Sequence, residues 1–189
     1  MVYGDGVRLR SIERDDLPRF VQWLNDPETR QGLAVRFPMG MAEEEHWFEE
    51  NLKAEPGLRA LALDAHAESP APAATANWTH IGGTGFHKID WGDRWGEIGI
   101  LIGNKEYWNR GYGTEATRTL VRWGFDGLNL NRIWLRVYED NARAIRCYEK
   151  VGFRIEGRLR QDRFRDGRYL DTIIMAILRD EFRADKASA

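Results

Sequence analysis

The chain of 189 residues holds a single cysteine, Cys147, which excludes an internal disulfide framework and any cysteine-based zinc site. A lone thiol suits a reducing compartment. No apolar run approaches the roughly 20 residues of a membrane span, and the first residues, Met1-Val2-Tyr3-Gly4-Asp5, lack the basic-then-apolar order of a secretory signal. These absences make a soluble, cytoplasmic protein the expectation, with no membrane partner. An excess of positive charge is missing too: 28 Lys and Arg stand against 30 Asp and Glu, for a net charge of −2. That balance argues against direct nucleic-acid binding, and a phosphate-rich ligand would need dedicated geometry instead of a basic surface. The four histidines, His46, His66, His80 and His87, show no His-x-x-x-His spacing, so no metal is expected. No internal repeat is visible.

What is present is enough for one domain spanning 1–189, since at this size roughly 70% of the unfolded surface can be removed from water. Eight tryptophans, at 23, 47, 78, 91, 95, 108, 123 and 134, are a heavy load for a polar chain. Either they fill an aromatic core or some line a binding surface. Core packing is the simpler reading for Trp23, Trp123 and Trp134, whereas Trp91, Trp95 and Trp108 are candidates to wall an acceptor slot.

Periodicity outlines the elements. Val7 to Ile12 alternates as a strand, and Leu17, Phe20, Val21 and Leu24 recur at helical spacing. Asn25-Asp26-Pro27 ends that helix, and a second is expected from about Met41 to Lys53. Leu58–Leu63 and Thr79–Ile89 read as paired strands, joined by an Ala-, Pro-, Ser- and Glu-rich segment at 65–77 that reads as a mobile loop. Trp95 to Ile102 is a third strand, interrupted at Gly99 by a bulge or a close backbone approach. Gly82-Gly83-Thr84-Gly85 falls inside a strand, so a bulge is expected there as well. A helix follows the segment Asn109 to Thr114 and runs to about Phe125. Ile133–Val137 is a buried strand, and a helix capped by Asp140-Asn141 ends near Gly152. Phe153–Phe164 and Tyr169–Leu178 flank Asp166-Gly167, a hairpin signal, and a flexible tail is expected from about 183. The order implies a mixed sheet with helices on its faces.

Two segments carry chemistry. In Trp108-Asn109-Arg110-Gly111-Tyr112-Gly113-Thr114, closely spaced glycines precede a helix, so several backbone N–H groups can turn toward one point at the positive end of the helix dipole. That is an anion site suited to a pyrophosphate. It is not a P-loop, because no Gly-Lys-Ser/Thr follows, nor a dinucleotide fingerprint, because the third glycine and the later acidic residue are missing. By itself the segment is weak evidence, since two glycines before a helix are more often a plain turn. The second segment is Asn141-Ala-Arg-Ala-Ile-Arg-Cys-Tyr-Glu-Lys-Val-Gly-Phe153.

Together the two segments resemble the GNAT superfamily of acyl-CoA-dependent N-acetyltransferases, whose loop has the form Arg/Gln-x-x-Gly-x-Gly/Ala and whose later helix carries Asn-x-x-Ala and Tyr-Glu-Lys-x-Gly-Phe. The resemblance covers nearly the whole chain. Tyr107 to Ala116 and the stretch from Glu156-Gly157 to Asp171 are similar to the branch that acetylates ribosomal-protein N-termini. Trp108 stands where the superfamily often has Arg or Gln, a departure that this branch shares. The implied fold is α+β: a mixed, mostly antiparallel central sheet of about seven strands flanked by about four helices.

The resemblance also implies acetyl-CoA as co-substrate and a primary amine as acceptor. A protein N-terminal α-amine is the first expectation, a polyamine or aminoglycoside the alternative, and a non-catalytic acyl-CoA-binding module the second alternative. A homodimer is a family-level implication. Tyr148 matches the tyrosine beside the thioester sulfur and is the candidate general acid. Glu97 matches a glutamate assigned as base, directly or through water, and burial among apolar neighbours is expected to raise its pKa. The backbone of Ile100, Leu101 and Ile102 resembles the strand that holds the pantetheine arm. Asn141 resembles a pantetheine ligand, a role compatible with helix capping.

Cys147 adjoins Tyr148, but neighbouring helical residues point about 100° apart, so it is read as a bystander. Arg158, Arg160, Arg163, Arg165 and Arg168 form a basic run, read either as a charge-guarded edge strand or as a recognition patch. For a cationic acceptor, Glu13, Asp26, Glu28 and Glu97 are candidate slot carboxylates.

Overall fold

A computed structural model describes residues 1–66 and 77–182; the mobile-loop and flexible-tail expectations therefore fall largely outside the described residues. Eight strands form one sheet: β1 (Val2–Tyr3), β2 (Val7–Ser11), β3 (Leu61–Ala65), β4 (Thr79–Asp90), β5 (Trp95–Ile102), β6 (Arg132–Tyr138), β7 (Arg154–Arg165) and β8 (Arg168–Leu178). Their spatial order is β1-β2-β3-β4-β5-β6-β8-β7. Every neighbouring pair is antiparallel except β5 and β6. The strand beyond the expected seven is β1, two residues long and too short to show alternation.

The helices are α1 (Leu17–Asn25), α2 (Pro27–Arg30), α3 (Met41–Lys53), α4 (Tyr112–Arg122) and α5 (Ala142–Glu149). Asn25-Asp26-Pro27 does end α1, yet it also starts the single turn of α2: the Asp26 side chain accepts from the Thr29 N–H and Pro27 takes the first position. A cap that stops one helix and opens another is not visible from apolar spacing. At the hairpin between β7 and β8, Asp166 and Gly167 both adopt positive φ, as a two-residue turn of the primed type requires.

Two cores sandwich the sheet. On one face α4, α5 and Phe182 cover Leu9, Leu63, Ile81, Phe86, Ile98, Ile133, Leu135 and Met175. On the other, Leu17, Phe20 and Trp23 of α1 and Phe48 of α3 pack with Ile12 and Ala62, with Leu101 against them. Alternation along β5 therefore sends Ile98, Ile100 and Ile102 toward α4 and Leu101 toward α1. The glycine run in β4 is no bulge. A Cβ on Gly82 would lie 1.9 Å from the carbonyl oxygen of Leu101, and one on Gly83 would strike Phe20. These glycines let β5 and α1 approach closely. The register shifts of β4 fall beside them, between its Gly82 and His80 pairings and at His87.

The α1 face also buries charge. Asp64 takes the guanidinium groups of Arg8 and Arg10, and Arg10 reaches Asp16 through two bonds of 2.7 and 2.8 Å. Burial works against the Asp16 charge, but bonds from Arg10 and His80 hold its carboxyl well below the usual range.

Glu44 has no such help. It sits on the buried stripe of α3 with Phe48 and Asn51, 3% exposed, and among the described residues its carboxyl has no hydrogen-bond or ionic partner. Burial pushes its pKa up from 4.5 to about 7. The folded state then binds the proton more tightly than the unfolded chain, so stability is full below about pH 4.5 and falls as pH rises toward 7. Above that window the loss is complete, at an order of magnitude of about 3 kcal/mol. Glu44→Gln is expected to remove this slope, making the variant more stable than the parent at pH 8 and little different at pH 4.5. Urea melts of both chains at the two pH values check it.

Candidate active site

The site is built where the sheet comes apart. β5 and β6 pair over three positions only, Trp95 with Arg132, Gly96 with Ile133 and Glu97 with Trp134, although β5 continues to Ile102 and β6 to Tyr138. Past Glu97 the backbone groups of Ile98 to Ile102 that would reach β6 meet no strand. Such groups must find partners elsewhere, and an extended ligand carrying amides can supply them in the manner of an added strand.

At one end of this seam lies the glycine loop. Asn109 and Gly111 have φ of +59° and +89°, and Gly111 forms the left-handed N-cap of α4 without any side-chain cap. The first N–H groups of α4 are therefore left for another acceptor, at the positive end of an 11-residue helix. A Cβ on Gly111 would meet nothing within 4 Å; the glycine is required by its φ, not by crowding. Glu115, the acidic residue of this first turn, is drawn away to accept from the Gly6 N–H. Tyr112 packs on Tyr107 at 5.3 Å between ring centroids and donates its hydroxyl to the His66 carbonyl. Trp108 donates its indole N–H to the Ile102 carbonyl at 2.7 Å and lies beneath the Arg143 guanidinium, 3.8 Å above its ring. It thus joins the loop to the end of β5 and to α5. Arg110, the cation within the loop, is exposed, as is Asn109, while Thr114 is half-buried against Cys147.

On the same side of the sheet, α5 presents Tyr148. The residue is 7% exposed and packs its ring on Phe153. Burial pushes the phenol well above its ordinary value, with Cys147 adding to the effect, so the hydroxyl keeps its proton at neutral pH. That hydroxyl has no hydrogen-bond partner among the described residues. Asn141 caps α5, its Oδ1 accepting from Ala144 N–H at 3.1 Å, which leaves its amide NH2 free to donate.

Glu97 belongs to the other face. It is 8% exposed, but its surroundings are not the apolar ones expected. The Arg136 guanidinium binds its Oε1 through Nε at 2.9 Å and a terminal nitrogen at 2.8 Å. Arg136 is two residues beyond Trp134 on β6 and shares its face, with Trp134 meeting Trp95 edge-on at 6.1 Å. Trp134 thus joins Trp95 on this open face and leaves the core. Trp91 stands apart, donating to Glu55. Strand alternation would have found Arg136 once Glu97 was placed on the same face; nothing local in sequence signalled Arg143 above Trp108.

The remaining expectations divide. Lys105 clamps both Asp26 and Glu28, at 2.8 and 2.9 Å, and the first of these bonds holds the Asp26 carboxyl down to about 2. A hollow lined by Gln22, Trp23, Asn25, Asp26, Gly103, Asn104 and Lys105 opens beside that clamp. Glu13 lies in the turn leading into α1. The arginine run is mostly tied inward: Arg158 pairs with Glu139 and Asp171, Arg165 with Asp140, and Arg168 with Asp140. Arg163 is buried on Tyr138 and donates to the Leu33 carbonyl. Among the described residues no group of three or more His, Cys, Asp or Glu could hold a metal ion, and no helix is long and apolar enough to cross a membrane.

The cleft between parted strands ends at an uncapped helix N-terminus, an arrangement that suits an acyl carrier with an anionic, pyrophosphate-like end. The pattern described as Acetyltransferase (GNAT) domain matches residues 7–154, and the chain belongs to that family, the acetyl-CoA-dependent N-acetyltransferases. A spermidine N(1)-acetyltransferase of Escherichia coli K12 is 30% identical over 98% of this chain and 92% of its own length. A solved spermidine N-acetyltransferase of Vibrio cholerae, in complex with CoA and spermine, superimposes with a TM-score of 0.80 at 26% identity, over 94% of this chain and 98% of that one. A Bacillus subtilis chain provisionally named ribosomal N-acetyltransferase YdaF is 31% identical over 53% of this chain and 55% of its own.

Cys147 packs between α5 and α4, its Sγ 3.5 Å from Thr114 Oγ1 and 3.9 Å from Thr117 Oγ1, and burial pushes the thiol up. A protonated, packed thiol is a poor nucleophile. Cys147→Ala is expected to keep turnover within about twofold, and the native thiol to be alkylated far more slowly than in the unfolded chain. Thiol-release rates and timed iodoacetamide labelling test both points.

Proposed function

We propose that this N-acetyltransferase acts on a small cationic polyamine of the spermidine class. The observation that carries the reading is the extent of likeness: relatives named for spermidine match end to end in sequence and in fold, whereas the Bacillus subtilis relative named for ribosomal protein matches over about half. The Glu97 carboxylate on the open face of the seam, ringed by Trp95 and Trp134, also suits an ammonium group. A protein N-terminus, the first expectation from Tyr107 to Ala116 and Glu156 to Asp171, is the competing acceptor.

In this reading acetyl-CoA enters from the α4 side. Its pyrophosphate takes the N–H groups of Gly111 to Thr114, with Trp108, Asn109 and Arg110 shaping the loop. The pantetheine arm runs along Ile100 to Ile102 and takes the free amide of Asn141, and a β5 N–H polarises the thioester carbonyl. The amine arrives from the opposite face and attacks within the seam. The C–S bond then breaks and the leaving thiolate takes the Tyr148 proton. Burial keeps the phenol protonated at neutral pH, and its unpartnered hydroxyl is open to a ligand, which supports Tyr148 in that donation. Glu97, held by Arg136, supplies the negative charge that receives the ammonium.

Tyr148→Phe is expected to lower kcat by at least about 100-fold with little change in acetyl-CoA affinity; equal thiol release by parent and variant removes Tyr148 from the acid role. Gly111→Val forces a branched residue to a φ of +89° and is expected to abolish the protection against thermal unfolding given by acetyl-CoA. Protection that survives unchanged displaces the pyrophosphate from this loop. Thiol release with spermidine, an aminoglycoside and an N-terminal peptide as acceptors decides the substrate. A rate with peptide well above that with spermidine overturns the polyamine reading.

A further inference from the structure

The register between β4 and β5 breaks beside the seam. Phe86 opposes Ile98 and Lys88 opposes Glu97, so His87 is the extra residue of a β-bulge. Bulges re-aim the side chains they carry and recur next to active sites. This one lays the imidazole on Gly99: a Cβ built there would stand 2.3 Å from Cε1 and 2.4 Å from Nε2 of His87. No residue with a side chain fits under the ring, so the bulge and the glycine form one steric unit.

The ring lies on the face of the seam from which the amine arrives. Gly99 is two residues from Glu97 in an alternating strand, and Ile98 and Ile100 point the other way, into the core beneath α4. The charged groups that face the imidazole are Glu97 from β5 and Arg136 from β6. His66 and His80 have ring nitrogens bonded to backbone carbonyls. His87, in contrast, has no hydrogen-bond partner on either nitrogen among the described residues. Glu97 has already committed Oε1 to two bonds from Arg136.

We propose that His87 is the base that removes the proton from the acceptor ammonium, with Glu97 as the anion that draws the ammonium to it. The inference rests on acyl transfer across the seam and not on the identity of the amine. Packing against β5 lowers the imidazole pKa, and Arg136 lowers it further against the opposing pull of Glu97, so the ring is unprotonated at neutral pH and can accept. The residue remains exposed, which gives the proton an exit to water.

The ammonium gives one proton to a His87 nitrogen, and the freed lone pair forms the C–N bond while the carbonyl π pair moves to oxygen. Collapse breaks the C–S bond, the sulfur leaves with the electron pair and takes the Tyr148 proton, and the second nitrogen proton passes through water to restore Tyr148. The imidazolium discharges to solvent, so acetylamide, free thiol and one released proton balance the step.

The test is a pH profile of kcat/KM for parent and His87→Gln, using whichever of spermidine or N-terminal peptide the parent acetylates faster. Failure of the polyamine reading is thus seen in the parent alone. The expected result is a loss of about 100-fold in kcat, disappearance of the acidic limb set by a group titrating below 6.5, and an unchanged KM for acetyl-CoA. A variant within threefold of the parent that keeps the same limb overturns the proposal. Thermal melts confirm folding, with His87→Asn as a second variant. NMR titration of the imidazole needs no acceptor: His87 should titrate below 6.5 and shift upward in Arg136→Met, and a ring titrating at or above 6.5 overturns the proposal.

Discussion

The parting of β5 from β6 after three residue pairs is the constraint on which the rest of the molecule depends. A sheet that stays closed leaves no unpaired backbone in its middle, and one that opens must keep its two halves in place by other means. Here the left half is held by the tight crossings at Gly82 and Gly83 and by the Arg10–Asp16–Asp64 network. The right half is held by β8, inserted between β6 and β7. Helices α4 and α5 bridge the halves on one face through Gly113, Thr114, Thr117 and Cys147, so both sides of the seam are tied while its centre carries no strand pairing.

That arrangement separates the chemistry by face. Backbone donors at the start of α4 and the buried phenol of Tyr148 lie on one side; Glu97, Arg136, Trp95, Trp134 and His87 lie on the other. A near-neutral chain can hold an anionic cofactor under these conditions, because the positive potential comes from a helix end and not from a basic surface. The arginines near the closing hairpin do other work, tying β7 to Glu139, Asp140, Asp171 and the carbonyls of Gln31 and Leu33.

Much of this was legible in the chain. The strand Trp95–Ile102 is found in the structure at the limits read from the sequence, and Asn141 and Asp166-Gly167 serve as cap and turn as their local chemistry requires. The loop at Gly111 adopts the positive φ that its glycines allow. What local pattern missed were features made by contact: the one-turn α2, the short edge strand β1, the Lys105 clamp that occupies Asp26 and Glu28, and the move of Trp134 from core to open face. The Lys105 clamp and the placement of Trp134 depend on partners far away in sequence, whereas α2 and β1 are local but too short to show a period.

The sequence by itself determined the order of the longer elements, the family through its two motif segments, and the loop, strand and helix proposed for the cofactor, because turn, cap and dipole chemistry act over a few residues. Only the tertiary structure decided that Glu97 is paired with Arg136, that Trp108 rivets loop to strand, and that an exposed histidine lies on a strand glycine at the seam. Those follow from register and crossing distance, which are properties of pairs of strands and are written in no single one of them.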